Sequence, residues 1–459
     1  AEYFTRMAES IYPRLYQYPI DISLYDQLHA DHDNIRSALA WAIERRDAEL
    51  GQRLAGSLAR FWNASSDRHE ALSWLERVIE LGETTPAIYV RVLDAIGVMA
   101  FQVGDYERAV RVYTEAASLY RTLGNHGRLA RVLDDLGSIA LEQGRYDEAE
   151  SLFAEALGAA SAVESPDPII AELIGPGNLA LARMDLGRAG ELLEGALAIR
   201  RSAGAEATVC VSYESLGYLA IARGKLADAR SSFEGALRIG QDLDSQELSA
   251  RGHGGLGWLA LVERDGQSAC QQFAEALRLN HGIGLLVESV NVIEGLASAA
   301  AQLGSDREAA RLFGAVERLR ESAALLASPF RRCLVGPFGD AARRRLSSVE
   351  WEAAWQRGRA LSLDDTCQAA LDIARETITA RHEPPADPPA RLTSREMDVL
   401  RLLAVGRSNR EIGAELFLSV RTVERHVANL YRKIDAHNRA EATTFAIRVN
   451  LVQTESVVW

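Results

Sequence analysis

The sequence predicts an all-α protein in which a helical-repeat solenoid is followed by a separate four-helix domain. Three observations carry that expectation. Small and large apolar residues recur at a spacing of 40, four prolines cluster within residues 382–390, and C-terminal to them short apolar stripes are each preceded by a hydroxyl residue.

The repeat sets the architecture. Small residues stand at Gly97, Gly137, Gly177, Gly217, Gly257 and Ala297. Twelve positions further on come Ala109, Ala149, Ala189, Ala229, Ala269 and Ala309. Four beyond those are Tyr113, Phe153, Leu193, Phe233, Phe273 and Phe313, and three beyond again Ala116, Ala156, Ala196, Ala236, Ala276 and Val316. Alanine, a large apolar residue and alanine at i, i+4 and i+7 form one helix face. The small residues admit a neighbouring helix and the large one fills the gap. The first small residue falls on an earlier helix, and a turn follows at Gly104-Asp105, Gly144-Arg145 and Gly224-Lys225, with Met184 and Arg264 replacing that glycine in two repeats. Each unit thus reads as two antiparallel helices, and stacked units form a superhelix. Upstream, Ala71, Leu75 and Val78 repeat the second-helix pattern two residues out of phase and mark an irregular first repeat.

The predicted organisation is a helical lead-in over 1–55, about seven repeats over 56–320, a helical extension over 321–381, a linker over 382–391 and a terminal domain over 392–452. Trp351, Trp355, Leu361 and Leu363 are expected to pack the extension onto the end of the array. The prolines of His382-Glu-Pro-Pro-Ala-Asp-Pro-Pro-Ala390 cannot continue a helix and favour an extended spacer.

The Leu-Gly…Ala…Phe…Ala order resembles the tetratricopeptide repeat, which is usually about 34 residues long. The extra residues are expected to lengthen the helices and the inter-repeat loops. In that repeat the first helix of each unit lines a concave groove. Carried over by register, the resemblance places Arg91, Asp94, Phe101, Arg131, Asp134 and Asn178 on it, with Tyr218 and Trp258 at equivalent places in neighbouring repeats. The aromatic pair could clamp a protein partner or a small-molecule ligand; packing against adjacent helices is the favoured reading of both rings.

Charge is unevenly distributed. The chain of 459 residues carries a formal net charge of −13. From Arg391 to Trp459 there are 11 Lys/Arg and 8 Asp/Glu, a balance of +3 that leaves −16 on the preceding 390 residues. An acidic body with a mildly basic terminal domain suits a tethered reader of nucleic acid. No apolar run is long enough to span a bilayer and no secretion signal opens the chain, so a cytoplasmic location without membrane contact is expected. Cys210, Cys270, Cys333 and Cys367 are far apart and form no C-x-x-C pair, so each is expected to be a small buried hydrophobe, and neither a metal site nor a disulfide framework is indicated.

In the terminal domain Thr393 and Glu396 have the spacing of a capping box, and Val399, Leu400, Leu402 and Leu403 supply the apolar side of a first helix ending at Gly406. Ser408 caps a short second helix, Asn409 to Leu416. Phe417 and Leu418 are expected to make a buried turn. Ser419 caps a third helix from about Val420 to Ile434, whose inward stripe is Val423, Val427, Leu430 and Ile434. Its outward face carries Arg421, Thr422, Glu424, Arg425, Ala428, Asn429 and Arg432. A polar, arginine-bearing face on the second helix of a tight pair is the chemistry that enters a major groove. Arginine can bond guanine bidentately, Asn429 can read adenine and Glu424 can accept from cytosine. Thr422, His426 and Lys433 are better suited to phosphates, which position without specifying. Ser408, Asn409, Arg410, Ser419 and Arg439 complete the candidate DNA-contacting set. A fourth helix is expected from about Arg439 to Leu451.

The segment from Leu392 to Ala446 resembles the LuxR-type helix-turn-helix domain over its whole length. It contains the family's Leu-Thr-x-Arg-Glu opening, Gly-x-Ser-Asn-x-Glu-Ile, Leu-x-x-Ser-x-x-Thr-Val-x-x-His-Val and Asn-Arg-x-Glu-Ala. The resemblance implies that the third helix enters the major groove and that the fourth mediates homodimerisation on paired half-sites. Gly413 replaces a common alanine and Asp435 a frequent glycine, and both departures are expected to cost stability. Helical repeats followed by this domain resemble MalT-like regulators, in which an ATPase module precedes the repeats. No G-x-x-x-x-G-K-[ST] occurs in this chain, so no nucleotide cofactor is expected from it; such a module would lie upstream of Ala1 or have been lost. No nucleophile–base motif supports an enzyme. The expectation is a bacterial regulator of transcription that binds double-stranded DNA, with RNA polymerase as a possible contact and with repeats that sense a partner or ligand. The alternatives are a fragment of a nucleotide-switched ATPase regulator and a repeat scaffold with a vestigial reader.

Overall fold

The period of 40 follows from helix length. In the repeat built from Glu206–Ala222 and Leu226–Asp242, both helices have 17 residues, and turns of three residues separate them from each other and from the next helix, Gln246–Val262. The inter-repeat turns at 123–125, 203–205, 243–245 and 283–285 are equally short. In these repeats the residues beyond the usual repeat length therefore lie in the helices, and among the described residues these four turns show none of the expected loop lengthening. The computed structural model describes residues 1–16, 21–64, 68–163, 174–379, 392–434, 436, 439–448 and 451, and the chain divides into two compact units, Ala1–Thr377 and Ile378–Trp459. The proline-rich segment 382–391 and Asp435 lie outside the described residues.

The small and large positions of the repeat meet as their sizes require. The Phe233 ring is fully buried, and a Cβ added to Gly217 of its own repeat or to Gly255 of the next would collide with it. Phe153 sits in the same way between Gly137 and Gly175, and Phe273 between Gly257 and Gly295. Each of these three rings is thus gripped on two sides by backbone that carries no side chain, and this links one repeat to the next. The turn inside each repeat holds a residue of positive φ: Gly104, Gly144 and Gly224 adopt 79°, 70° and 71°, and Met184 and Arg264 adopt 64° and 65°. Side chains rarely take that conformation, so both non-glycine turns hold backbone strain.

Polar groups of the array are largely spent on one another. Arg121 pairs with Glu155, Arg183 with Glu150 and Asp147, Arg230 with Glu263, and Arg320 with the buried Glu294 through two bonds of 2.6 and 2.9 Å. The array curls far enough that Arg68, 3% exposed, donates to the Ile283 carbonyl at 2.7 Å and to Glu247 at 3.2 Å.

The extension has two parts. Ser348–Arg359 packs on the last repeat helix, Asp306–Ser322, where Gly314 and Gly358 allow backbone-to-backbone contact, and Trp351 is buried there. Residues 323–331 take a different path, back over the concave side. The Leu326 N–H donates to the Glu142 carbonyl at 2.9 Å, and Phe330 lies edge-on to Tyr218. The expected packing of Trp351 and Trp355 onto the end of the array is present, and the path of residues 323–331 is an addition to it. Cys210, Cys270 and Cys367 are buried, whereas Cys333 in the extension is exposed.

Candidate nucleic-acid interface

In the C-terminal unit the helices are Ser394–Ala404, Asn409–Leu416, Val420–Ile434 and Arg439–Arg448. Thr393 with Glu396 and Ser408 with Glu411 form complete capping boxes, and such caps stabilise a helix by about 1 kcal/mol each. Ser419 accepts from the Thr422 N–H at 3.1 Å and starts the third helix. Val399, Leu400, Leu403, Ile412, Val423, Leu430, Ala442 and Ala446 form the core, and Val427 and Ile434 pack against it half-buried.

Two local expectations are corrected here. Phe417 is 95% exposed with φ of 57°, and only Leu418 turns inward. The left-handed residue that ends the second helix points its side chain away from the core, which a turn of two apolar residues does not reveal. At Gly413 an added Cβ would lie 2.8 Å from the Leu418 carbonyl oxygen. The glycine therefore permits the tight approach of the turn, and alanine would be the costlier residue there.

Along the third helix Arg421, Glu424, Arg425, Ala428 and Arg432 are exposed, while Thr422, His426 and Asn429 are half-buried. Arg432 donates to the Asn429 amide oxygen at 2.7 Å, and the Ser419 and Thr422 hydroxyls lie 2.7 Å apart. Among the described residues Arg421 and Arg425 make no ion pair or side-chain hydrogen bond and project into solvent. On the second helix Ser408 and Arg410 are exposed and Asn409 is half-buried. Two cationic members of the predicted contact set are tied to groups outside that set. Lys433 donates to Glu396 at 2.6 Å, and Arg439 donates to the Leu403 and Arg407 carbonyls at 2.7 Å each. Burial raises the Glu396 carboxyl, but the bonds from Lys433 and Thr393 outweigh it and hold the group below the ordinary carboxylate range.

The eight groove residues fall into separate places in the array. Arg91 lies over the Tyr12 ring at 5.5 Å, Asp94 accepts from the Tyr120 hydroxyl at 3.0 Å, and Phe101 stacks on Tyr106. Arg131 and Asp134 are half-buried on the next repeat. Asn178, Tyr218 and Trp258 share the wall of a cavity of about 270 Å³. Trp258 is 1% exposed and edge-on to Phe273, so it is a wall of that cavity and not an open surface. Phe330 and Arg331, which also line it, were missed because residues 323–331 fall outside the repeat phase, and Glu142, at the end of a repeat helix, was not singled out. The break in the 40-residue register after Val316 is the signal that could have drawn attention to them.

Comparison with known proteins agrees with both halves. Residues 390–446 match the family of bacterial regulatory proteins of the luxR type, and residues 88–162 match the tetratricopeptide repeat. The chain is 32% identical over 158 residues to the HTH-type transcriptional regulator Rv0890c of Mycobacterium tuberculosis, covering 34% of this chain and 17% of that protein. It is 44% identical over 61 residues to the transcriptional regulatory protein LiaR of Bacillus subtilis, covering 13% of this chain and 29% of that protein. The chain therefore spans less than a third of the length of either relative. The crystal structure of a Rap protein complexed with competence and sporulation factor shares the fold at a TM-score of 0.53 and 12% identity, covering 71% of this chain and 99% of that one. The chain thus carries a LuxR-type DNA-binding helix-turn-helix domain and tetratricopeptide repeats.

Proposed function

We propose that this chain regulates transcription by reading double-stranded DNA through the helix Val420–Ile434, while the repeat array receives the partner or ligand that controls it. The observation that carries the reading is the contrast within one helix: a buried apolar stripe anchors it, and Arg421 and Arg425 stand on the opposite side with no intramolecular partner among the described residues. Such unspent guanidinium groups on a helix capped at its N-terminal end suit guanine edges in a major groove. In this assignment Arg421, Arg425 and Asn429 read bases, and Glu424 selects for cytosine. Ser408, Asn409, Arg410, Ser419, Thr422, His426 and Arg432 hold the flanking phosphates. Lys433 and Arg439 orient the recognition helix from inside the domain. Two copies bind an inverted repeat, as the two-fold geometry of such domains requires.

The test is selection from a pool of random-sequence duplexes by the purified chain, beside an Arg425→Ala, Asn429→Ala variant. Enrichment of an inverted motif that the folded variant loses or relaxes is expected. A motif retained unchanged by the variant would move the reading surface away from this helix.

A further inference from the structure

The cavity within the array contains a cation seated between two aromatic rings. After the last repeat the chain runs without helix through residues 325–328, and Ser328 accepts from the Arg331 N–H at 3.1 Å to start the helix Pro329–Arg345. This sets the Arg331 guanidinium 4.8 Å from the centre of the Trp258 ring and 5.7 Å from that of Tyr218. Both distances lie within the range of cation–π attraction. Glu142, Glu214 and Glu288 line the same cavity. Glu214 and Glu288 surround Arg251, at 2.9 and 3.6 Å, and Arg320 is bonded twice to Glu294. Burial raises the Glu142 carboxyl above the ordinary range, against the opposing pull of the Arg331 and Arg320 charges. The Arg331 Nη1 is itself buried without a hydrogen-bond partner among the described residues.

The arrangement has the rings and the negative charge that recognise a guanidinium, yet its occupant leaves a donor unsatisfied. A buried donor without an acceptor destabilises the state that holds it. Another molecule that satisfies the cage more fully can therefore compete with this one. The cavity of about 270 Å³ is the space left beside Arg331, and withdrawal of that side chain would open the place between the rings to it.

We propose that Tyr218, Trp258 and Glu142 form a binding site for a small guanidinium compound, filled in this state by Arg331 of the same chain and opened when the compound displaces it. The site gives the controlling ligand of the array a chemical class, and so rests on the reading of the repeats as the receiver of a signal. Displacement frees the start of the helix Pro329–Arg345 from the concave wall.

The test titrates the full chain with agmatine by calorimetry, without DNA, and uses putrescine as the control that keeps an ammonium in place of the guanidinium. Wild type is expected to bind agmatine. Arg331→Ala, which removes the internal competitor, binds it about tenfold or more tightly. Adding Trp258→Leu or Glu142→Gln to that variant abolishes the gain, and putrescine binds at least tenfold more weakly throughout. Arg331→Lys keeps the stem and charge and serves if the alanine variant is unfolded by circular dichroism; it is expected to bind agmatine more tightly than wild type. A folded Arg331 variant that binds no agmatine, equal binding of putrescine, or wild type that takes up none would overturn the proposal. None of these results touches motif selection by the recognition helix, so the two readings fail separately.

Discussion

The repeat array and the terminal domain use arginine in opposite ways. In the array the guanidinium groups of Arg121, Arg183, Arg230 and Arg320 are bound to carboxylates of other helices, and they hold the stack together. On the recognition helix Arg421 and Arg425 have no such partner among the described residues, and their charge is available to another molecule. The same residue type is structural where its acceptor belongs to the chain and functional where the acceptor must come from outside. Substitutions should then separate cleanly: changes in the array move stability, and changes on the recognition helix move DNA affinity.

The largest effect is expected at Phe233, gripped between Gly217 and Gly255. Phe233→Ala should destabilise the array by about 3–5 kcal/mol, seen as a lower denaturation midpoint. The melting of the terminal domain should not move with it. Arg425→Ala is the converse. It should weaken binding to a selected duplex by about 1–3 kcal/mol and relax sequence preference at one position, with the thermal midpoint unchanged.

Gly413→Ala should destabilise the terminal domain by about 1–3 kcal/mol, because the new Cβ meets the Leu418 carbonyl oxygen. Together with Glu411 of the second capping box, Glu396 makes that domain sensitive to acid. Its carboxyl titrates lower in the folded state than in the unfolded chain, so its contribution is fully present above the ordinary carboxylate value and is lost as pH falls through the folded value. Thermal melts from neutral pH down through the carboxylate range should show this loss, and Lys433→Met should reduce it. The smallest expected effects are gains. Met184→Gly, Arg264→Gly and Phe417→Gly each relieve a positive φ and should stabilise by about 1 kcal/mol, measurable as higher melting temperatures.

The sequence was most legible where the physics is periodic or local. The repeat register located Gly217 and Phe233, and the hydroxyl caps bounded the helices Asn409–Leu416 and Val420–Ile434. What stayed hidden depends on contacts distant along the chain. The Lys433–Glu396 pair spans 37 residues, so Lys433 read as a phosphate contact. Gly255 belongs to the next repeat, and its grip on Phe233 is invisible in any single unit. Arg331 stands beside Trp258 only because residues 323–331 return along the concave side, a path that no periodic pattern encodes. Phe417 was misread because an apolar residue at a turn carries no sign of the left-handed backbone that turns it outward.

The central claim is that the recognition helix spends its free arginines on DNA. Its most direct test is the salt dependence of binding to the selected duplex, by fluorescence anisotropy, for wild type, Arg421→Ala and Arg410→Ala. In the assignment above Arg421 reads a base and Arg410 holds a phosphate. Arg410→Ala should lower the slope of log affinity against log salt by about 1 and weaken all sequences alike. Arg421→Ala should leave the slope nearly unchanged and narrow the gap between the selected duplex and a scrambled one. Unchanged affinity and slope in both folded variants would contradict the account, because these side chains would then be no closer to DNA than the paired arginines of the array.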